Sequence, residues 1–217
     1  KDPRPEEFSR EGINPHLLRY WTHGPPVLIG AHAAEYKADW GAVFGRDAPL
    51  HLEIGCGNGF YLSGMAGIRS EENWLGIEIR YKRVMMCAKK IEVAGVGNAR
   101  ILRYDAYCVD ELFENGSLSG LHTNHPDPWD KARHRKKRLL NADFSAWVGR
   151  VLKPGATWRI KTDHKPHIEA VLDSLDGQPL EVVGRSDDTE REGPPWAPSD
   201  DVVTNYQRKR TQLGQPI

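Results

Sequence analysis

The chain has 217 residues, with 30 Lys and Arg balanced by 30 Asp and Glu. That is enough for one sizeable core and too little for two ordinary domains unless both are small. With 39% hydrophobic and 28% charged residues and a mean hydropathy of -0.61, it has the composition of a soluble globular protein, and no apolar run approaches the ~18 residues of a spanning helix. Cys56, Cys87 and Cys108 form no CxxC pair and have no histidines at zinc-ligand spacing, so neither disulfides nor a metal is expected.

The opening residues, "KDPRPEEFSREGINPHLL", lack a charged-then-apolar leader pattern, so a cytoplasmic protein is expected, with no membrane partner. Residues 1–49 carry two short apolar patches, Leu17 to Trp21 and Ala31 to Phe44. The second fits an amphipathic helix, and 1–49 reads as an N-terminal extension or cap on a body at 50–217.

From Leu50 strands and helices alternate. "LHLEIG" reads as a strand, "NGFYLSGMA" as a helix, "NWLGIEI" as a strand and "YKRVMMCAKKIEVAG" as a helix ended by Gly95. "ARILRY", "AYCVDELFENG", "SGLHTNH", "NADFSAWVGRVL", "ATWRIKTD" and "KPHIEAVLDSL" continue the series. This pattern predicts an α/β fold, a doubly wound and mostly parallel sheet. "PLEVVG" is a sixth candidate strand, and the acidic, Pro-rich "RSDDTEREGPPWAPSDDVV" at 185–203 reads as a long loop of the kind that is often functional.

The charge is placed rather than spread. Residues 181–201 hold seven acids against two bases, 131–138 hold six bases and no acid, and "RKR" follows at Arg208 to Arg210. A local basic patch is what a polynucleotide needs, whatever the net charge.

Glu53-Ile54-Gly55-Cys56-Gly57-Asn58-Gly59 closes the first strand and opens a helix. Its glycines allow a sharp turn and close approach to a ligand, without the spacing of the dinucleotide fingerprint. A carboxylate just before the loop opposes a pyrophosphate and suits a cationic ligand. Glu53, Glu78, Asp105 and Asp127 each lie at or after a strand end, and in an open parallel sheet such ends line one crevice. S-adenosylmethionine offers the hydroxyls, amines and positive charge that four acids require. Glu78 is placed for ribose hydroxyls, Asp105 for the adenine amine, and Glu53 or Asp127 for the amino or sulfonium end. Each acid taken singly also reads as a helix N-cap or a solvated turn.

"LEIGCGNG", "GIEIR", "DA", "PDPWDKARHRKKRL", "KTD" and "TNYQRKR" together resemble the tRNA (guanine-N7)-methyltransferase family of the stand-alone bacterial type, over about three quarters of the chain. "PDPW" followed by a basic run is the most specific mark. The resemblance implies a Rossmann-like class I methyltransferase fold, S-adenosyl-L-methionine as cofactor and methylation of guanine N7 in the tRNA variable loop. It implies a monomer or homodimer with no obligate partner subunit. Gly55, Gly57 and Gly59 join Glu53, Glu78, Asp105 and Asp127 as cofactor residues, and Asp127 becomes the catalytic residue. Guanine N7 carries a lone pair and no proton, so orientation and fixed electrostatics dominate over base catalysis.

Lys131, Arg133 and Arg135 in the basic run would hold RNA phosphates; a solvated helix face is the plain alternative. Trp129 reads equally as a base-stacking ring or a plug at the sheet edge. Asp163, in the family's "TD", contacts the substrate nucleoside and could accept from both Watson-Crick donors of guanine; Thr162 or Asp163 as a helix cap is the competing reading. Lys131, Thr204 and Tyr206 match family substrate-binding positions. Gln207 stands where the family pattern has Glu, losing an acceptor. His122 and Asn124 stand where the family has an apolar strand, and they and His125 read as satisfied strand-end groups or as extra site groups, the former being preferred. Two rival functions remain: a divergent paralogue methylating another RNA or a small molecule, and a non-catalytic RNA-binding module.

Overall fold

The computed structural model describes residues 14–129, 133, 137–189 and 191–214. It divides into two compact units, one ending at Glu114 and one beginning at Asn115. The boundary expected at residue 50 lies inside the first unit.

That unit holds four parallel strands, β1 (Val27–Leu28), β2 (Leu50–Ile54), β3 (Asn73–Glu78) and β4 (Ala99–Arg103), in the order β1-β4-β3-β2. Before β2 lie the helices α1 (Pro15–Thr22), α2 (Ala33–Ala38) and α3 (Trp40–Phe44). α4 (Phe60–Ile68) connects β2 to β3, and α5 (Tyr81–Ala94) connects β3 to β4. The pairing in register of β2 with β3, which follow one another through a helix, is the geometry of a parallel crossover. β3 is buried at all six positions, which explains why "NWLGIE" shows no polar alternation: both faces are covered. Leu52, Leu62, Leu75, Val84, Cys87, Ala88, Ile101 and Leu102 are fully buried. Gly95 ends α5 in the left-handed conformation, as its sequence position predicts.

β1 went unrecognised because two residues offer no periodicity. It adds the edge beyond β4, with Val27 opposite Ile101. Tyr20 of α1 is completely buried, and its ring meets that of Tyr81 edge-on at 5.2 Å. Residues 14–49 therefore build part of the first unit's core.

The second unit is built on β5 (Leu118–Asn124) and β6 (Leu152–Lys161), paired in parallel with Leu121 opposite Trp158 and Asn124 opposite Lys161. α6 (Ala142–Val151) joins them, α7 (Lys165–Asp173) follows β6, and α8 (Asn205–Gln212) closes the described chain. Phe144, Trp147, Val148 and Val151 form the buried face of α6. The α/β, doubly wound parallel class expected from the alternating pattern is the one observed.

Two expected elements differ. "AYCVDEL" forms a 3-10 stretch at Ala106–Leu112, broken at Cys108, because Asp105 caps its start and only Val109 and Leu112 are buried. "PLEVVG" forms no strand: Glu181 to Gly184 are exposed and have no ladder partner among the described residues. A β-branched run forms a strand only where a neighbour pairs with it.

Candidate functional site

In the first unit, β2 passes directly into the glycine loop. Gly55, Gly57 and Gly59 have φ of 73°, 58° and 75°, a region that side chains other than glycine's rarely enter. The N–H groups of Gly55 and Cys56 both donate to the Ile77 carbonyl, at 2.9 and 3.1 Å, which ties the loop to β3. A Cβ at Gly59 would collide with the Cys87 thiol and stand 2.9 Å from its Cα. One at Gly76 in β3 would stand 2.7 Å from Leu62 and 2.8 Å from the Cys56 sulfur. The missing side chains let the loop and α4 sit tightly on the sheet.

Glu53 and Glu78 end adjacent strands, only 2% and 8% exposed. Glu78 Oε1 accepts the Arg80 N–H at 2.9 Å, which fixes its rotamer. Both carboxylates act on the loop between them. The Cys56 thiol is pushed well up, first by burial, then by its contact with Cys87, then by the charges of Glu53 and Glu78. A loop lying in that negative field repels phosphate and suits a cation, so the donor set fits S-adenosylmethionine and opposes a dinucleotide. The Arg83 guanidinium lies beside Gly57, 3.1 Å from where a Cβ would stand; no sequence motif marks it. Asp105 follows β4, and its Oδ1 accepts the Tyr107 N–H at 3.1 Å. It is a helix cap in geometry.

In the second unit β5 leads into His125-Pro126-Asp127-Pro128-Trp129. His125 and Trp129 both have positive φ, 48° and 44°, a strained conformation for large side chains that is typical of functional turns. Asp127, between two prolines, is exposed. The turn is held at both ends: the His125 N–H donates to the Lys161 carbonyl at 2.7 Å, and Arg138 Nε donates to the Pro128 carbonyl at 2.9 Å. Lys137 lies over the Trp129 ring at 5.1 Å, a cation–π contact. Part of the basic run thus braces the turn. Arg133 and Lys137 are exposed. Lys131 and Arg135 lie outside the described residues.

Asp163 follows β6. It does not cap α7, whose N-cap is His164; Thr162 Oγ1 accepts the His164 N–H instead. Asp163 Oδ2 accepts from the Tyr206 hydroxyl at 2.8 Å and pairs with Arg210 at 3.1 Å. Burial, and then Asp163, hold the Tyr206 hydroxyl above its ordinary range, so it remains a donor. Thr204 Oγ1 caps α8 by accepting the Gln207 N–H at 3.0 Å; buried at 6% exposure, it positions Tyr206 and Gln207. Gln207 Oε1 is buried with no hydrogen-bond partner among the described residues. Lys161, 7% exposed, pairs with Asp201 at 2.6 Å, which pins the end of the acidic loop to β6. That loop and β6 line a groove of about 1190 Å³ with Asp163 and Gln207 on its wall.

His122 and Asn124 have partners within the structure, as expected for strand-end groups. His125 departs from that expectation: neither of its ring nitrogens has a hydrogen-bond partner among the described residues. Arg210 was visible only as part of a basic triplet, since its pairing with Asp163 spans more than 40 positions of sequence.

A family model described as "Putative methyltransferase" matches residues 47–217, so the chain is a methyltransferase. It is 34% identical over 184 residues to the tRNA (guanine-N(7)-)-methyltransferase of Bacillus velezensis, covering 85% of this chain and 83% of that one. It is 33% identical to the enzyme of the same name from Bacillus subtilis, covering 86% of each, and 36% identical to that of Polaromonas naphthalenivorans, covering 89% and 78%. The chain belongs to the tRNA (guanine-N(7)-)-methyltransferase family. Among solved structures, the antibiotic-resistance methyltransferase Kmr aligns with a TM-score of 0.46 at 20% identity, over 66% of this chain and 78% of that one.

Proposed function

We propose that this enzyme transfers a methyl group from S-adenosylmethionine to N7 of a guanosine in the tRNA variable loop. The observation that supports this reading is the likeness, along most of the chain, to enzymes named for guanine-N7 methylation of tRNA. In the first unit Glu53 takes the amino end of the cofactor, Glu78 the ribose hydroxyls and Asp105 the adenine amine, around the loop at Gly55, Gly57 and Gly59. Arg83 is suited to the carboxylate end. When bound there, S-adenosylmethionine supplies an electrophilic methyl on a sulfonium.

In the second unit the residues bind and orient the base. N7 has an in-plane lone pair and needs no proton removed, so the task is alignment and stabilisation of the positive charge that develops on the purine. Asp127, rigidly presented between Pro126 and Pro128, supplies a negative charge for that purpose. Asp163, fixed by Tyr206 and Arg210, accepts from the guanine N1 and N2 donors, which adenine lacks. Lys131, Arg133 and Arg135 hold the phosphates. We assign the reaction to the cytoplasm.

One feature favours a shifted substrate. Gln207 replaces the family's Glu, and its oxygen is buried without a partner among the described residues, so a different RNA is the second reading. Labelled methyl transfer to unmodified tRNA, followed by strand cleavage specific for N7-methylguanosine, tests both. Label at a variable-loop guanosine is the expected result. Its absence from every tRNA, with label on another RNA, would shift the assignment to the second reading.

A further inference from the structure

Resting on that reading of the site, we infer that the His125 imidazole reads O6 of the target guanine, making it a substrate-binding residue beside Asp127 and Asp163. The side chain is part-buried in the strained turn, two residues before Asp127, with both ring nitrogens turned away from solvent. Its ring lies 4.5 Å from that of Tyr206, tilted by 36°. Tyr206 in turn donates to Asp163, so the three side chains form one contiguous cluster. Both ring nitrogens lack a hydrogen-bond partner among the described residues, a state that costs free energy unless a ligand satisfies them.

Guanine presents two acceptors on its major-groove edge, N7 and O6. N7 must stay open to receive the methyl group, which leaves O6 as the atom a donor can hold while aligning N7. O6 also lies next to N1, the donor assigned to Asp163, so one base can meet both residues. A neutral imidazole offers one N–H for this contact. Burial, with Lys161 and Arg210 adding to it and Asp163 opposing, pushes the His125 ring down to about 4. Its neutrality matters because the sulfonium and the methylated purine are both cationic, and an imidazolium among them would oppose the reaction.

The test uses the full chain and three tRNA transcripts whose target base is guanine, 6-thioguanine, in which sulfur, a weak acceptor, replaces O6 while the N1 and N2 donors remain, or inosine, which lacks the 2-amino group. Wild-type kcat/KM should fall about 10- to 100-fold on replacing O6 with sulfur, as expected for a weakened hydrogen bond to a buried group. His125→Phe should lose a similar factor on guanine and on inosine, and less than about 2-fold more on 6-thioguanine. His125→Gln, which keeps an N–H donor, should recover part of the discrimination. An equal loss on all three bases would make His125 a structural residue and overturn the inference. So would wild-type enzyme indifferent to O6, whether or not either variant folds. Wild-type enzyme inactive on all tRNA would instead refute the proposed function itself.

Discussion

In the first unit the groups assigned to the cofactor are positioned by backbone. Three glycines in the left-handed region, two amides on one carbonyl and a glycine inside β3 set the loop, and the acids stand at the ends of paired strands. In the second unit the groups assigned to the base are positioned by side chains. Tyr206 and Arg210 hold Asp163, Arg138 holds Pro128, and His125 and Gln207 carry polar atoms that nothing described satisfies. The difference teaches that a ligand common to many enzymes can be met by a backbone device, whereas one particular base in one particular RNA requires side chains kept in costly states.

That contrast is sharpest at Asp127. Asp127→Ala should lower methyl transfer by about 1000-fold, with an unchanged melting temperature because the side chain is exposed. Turnover near wild type would remove the residue from the chemistry. The first unit should respond in the opposite way, through stability. Gly59→Ala combines a left-handed φ with a collision against Cys87, and should cost about 3 kcal/mol in urea denaturation. Gly55→Ala, with open space around its Cβ position, should cost only about 1 kcal/mol. Equal costs would show that packing against α5 contributes nothing.

Acid should weaken the second unit through His125. The unfolded chain takes up a proton on this ring below pH 6.5, whereas the folded protein takes it up only near pH 4. Stability is therefore intact above pH 6.5 and declines as pH falls from there through 4, by about 3 kcal/mol in total. Urea titrations across that range should show the decline in wild type and a flatter curve in His125→Phe. The smallest effect separates the two roles within the basic run. Replacing Arg133 and Arg135 with Ala should reduce the slope of log affinity for tRNA against log salt by about 2. Arg138→Ala, which releases the Pro128 carbonyl, should instead lower turnover and change that slope by less than about 1. A slope unaltered by the double replacement would return those cations to solvated surface.

The alternation of β2, α4, β3, α5 and β4 was legible because each element carries its own period and its own stop, such as Gly95. The glycine loop and the "PDPW" turn were legible because they are short contiguous motifs whose residues act through local backbone geometry. β1 was not, being two residues long, and neither was the failure of "PLEVVG" to pair, since a strand depends on its neighbour. The state of His125 was not legible, because sequence alone cannot tell whether a polar atom finds a partner.

The amino-acid sequence by itself determined the fold class, the acid at each strand end and the family, because these follow from nearest-neighbour preferences and from motifs that are contiguous in the chain. Only the tertiary structure decided that Tyr206 and Arg210 hold Asp163, that Arg138 braces the turn, and that His125 stands part-buried with both nitrogens unmet. Each of these is a contact, or the want of one, between residues that folding alone brings within reach, and its energy depends on a burial that no local pattern encodes.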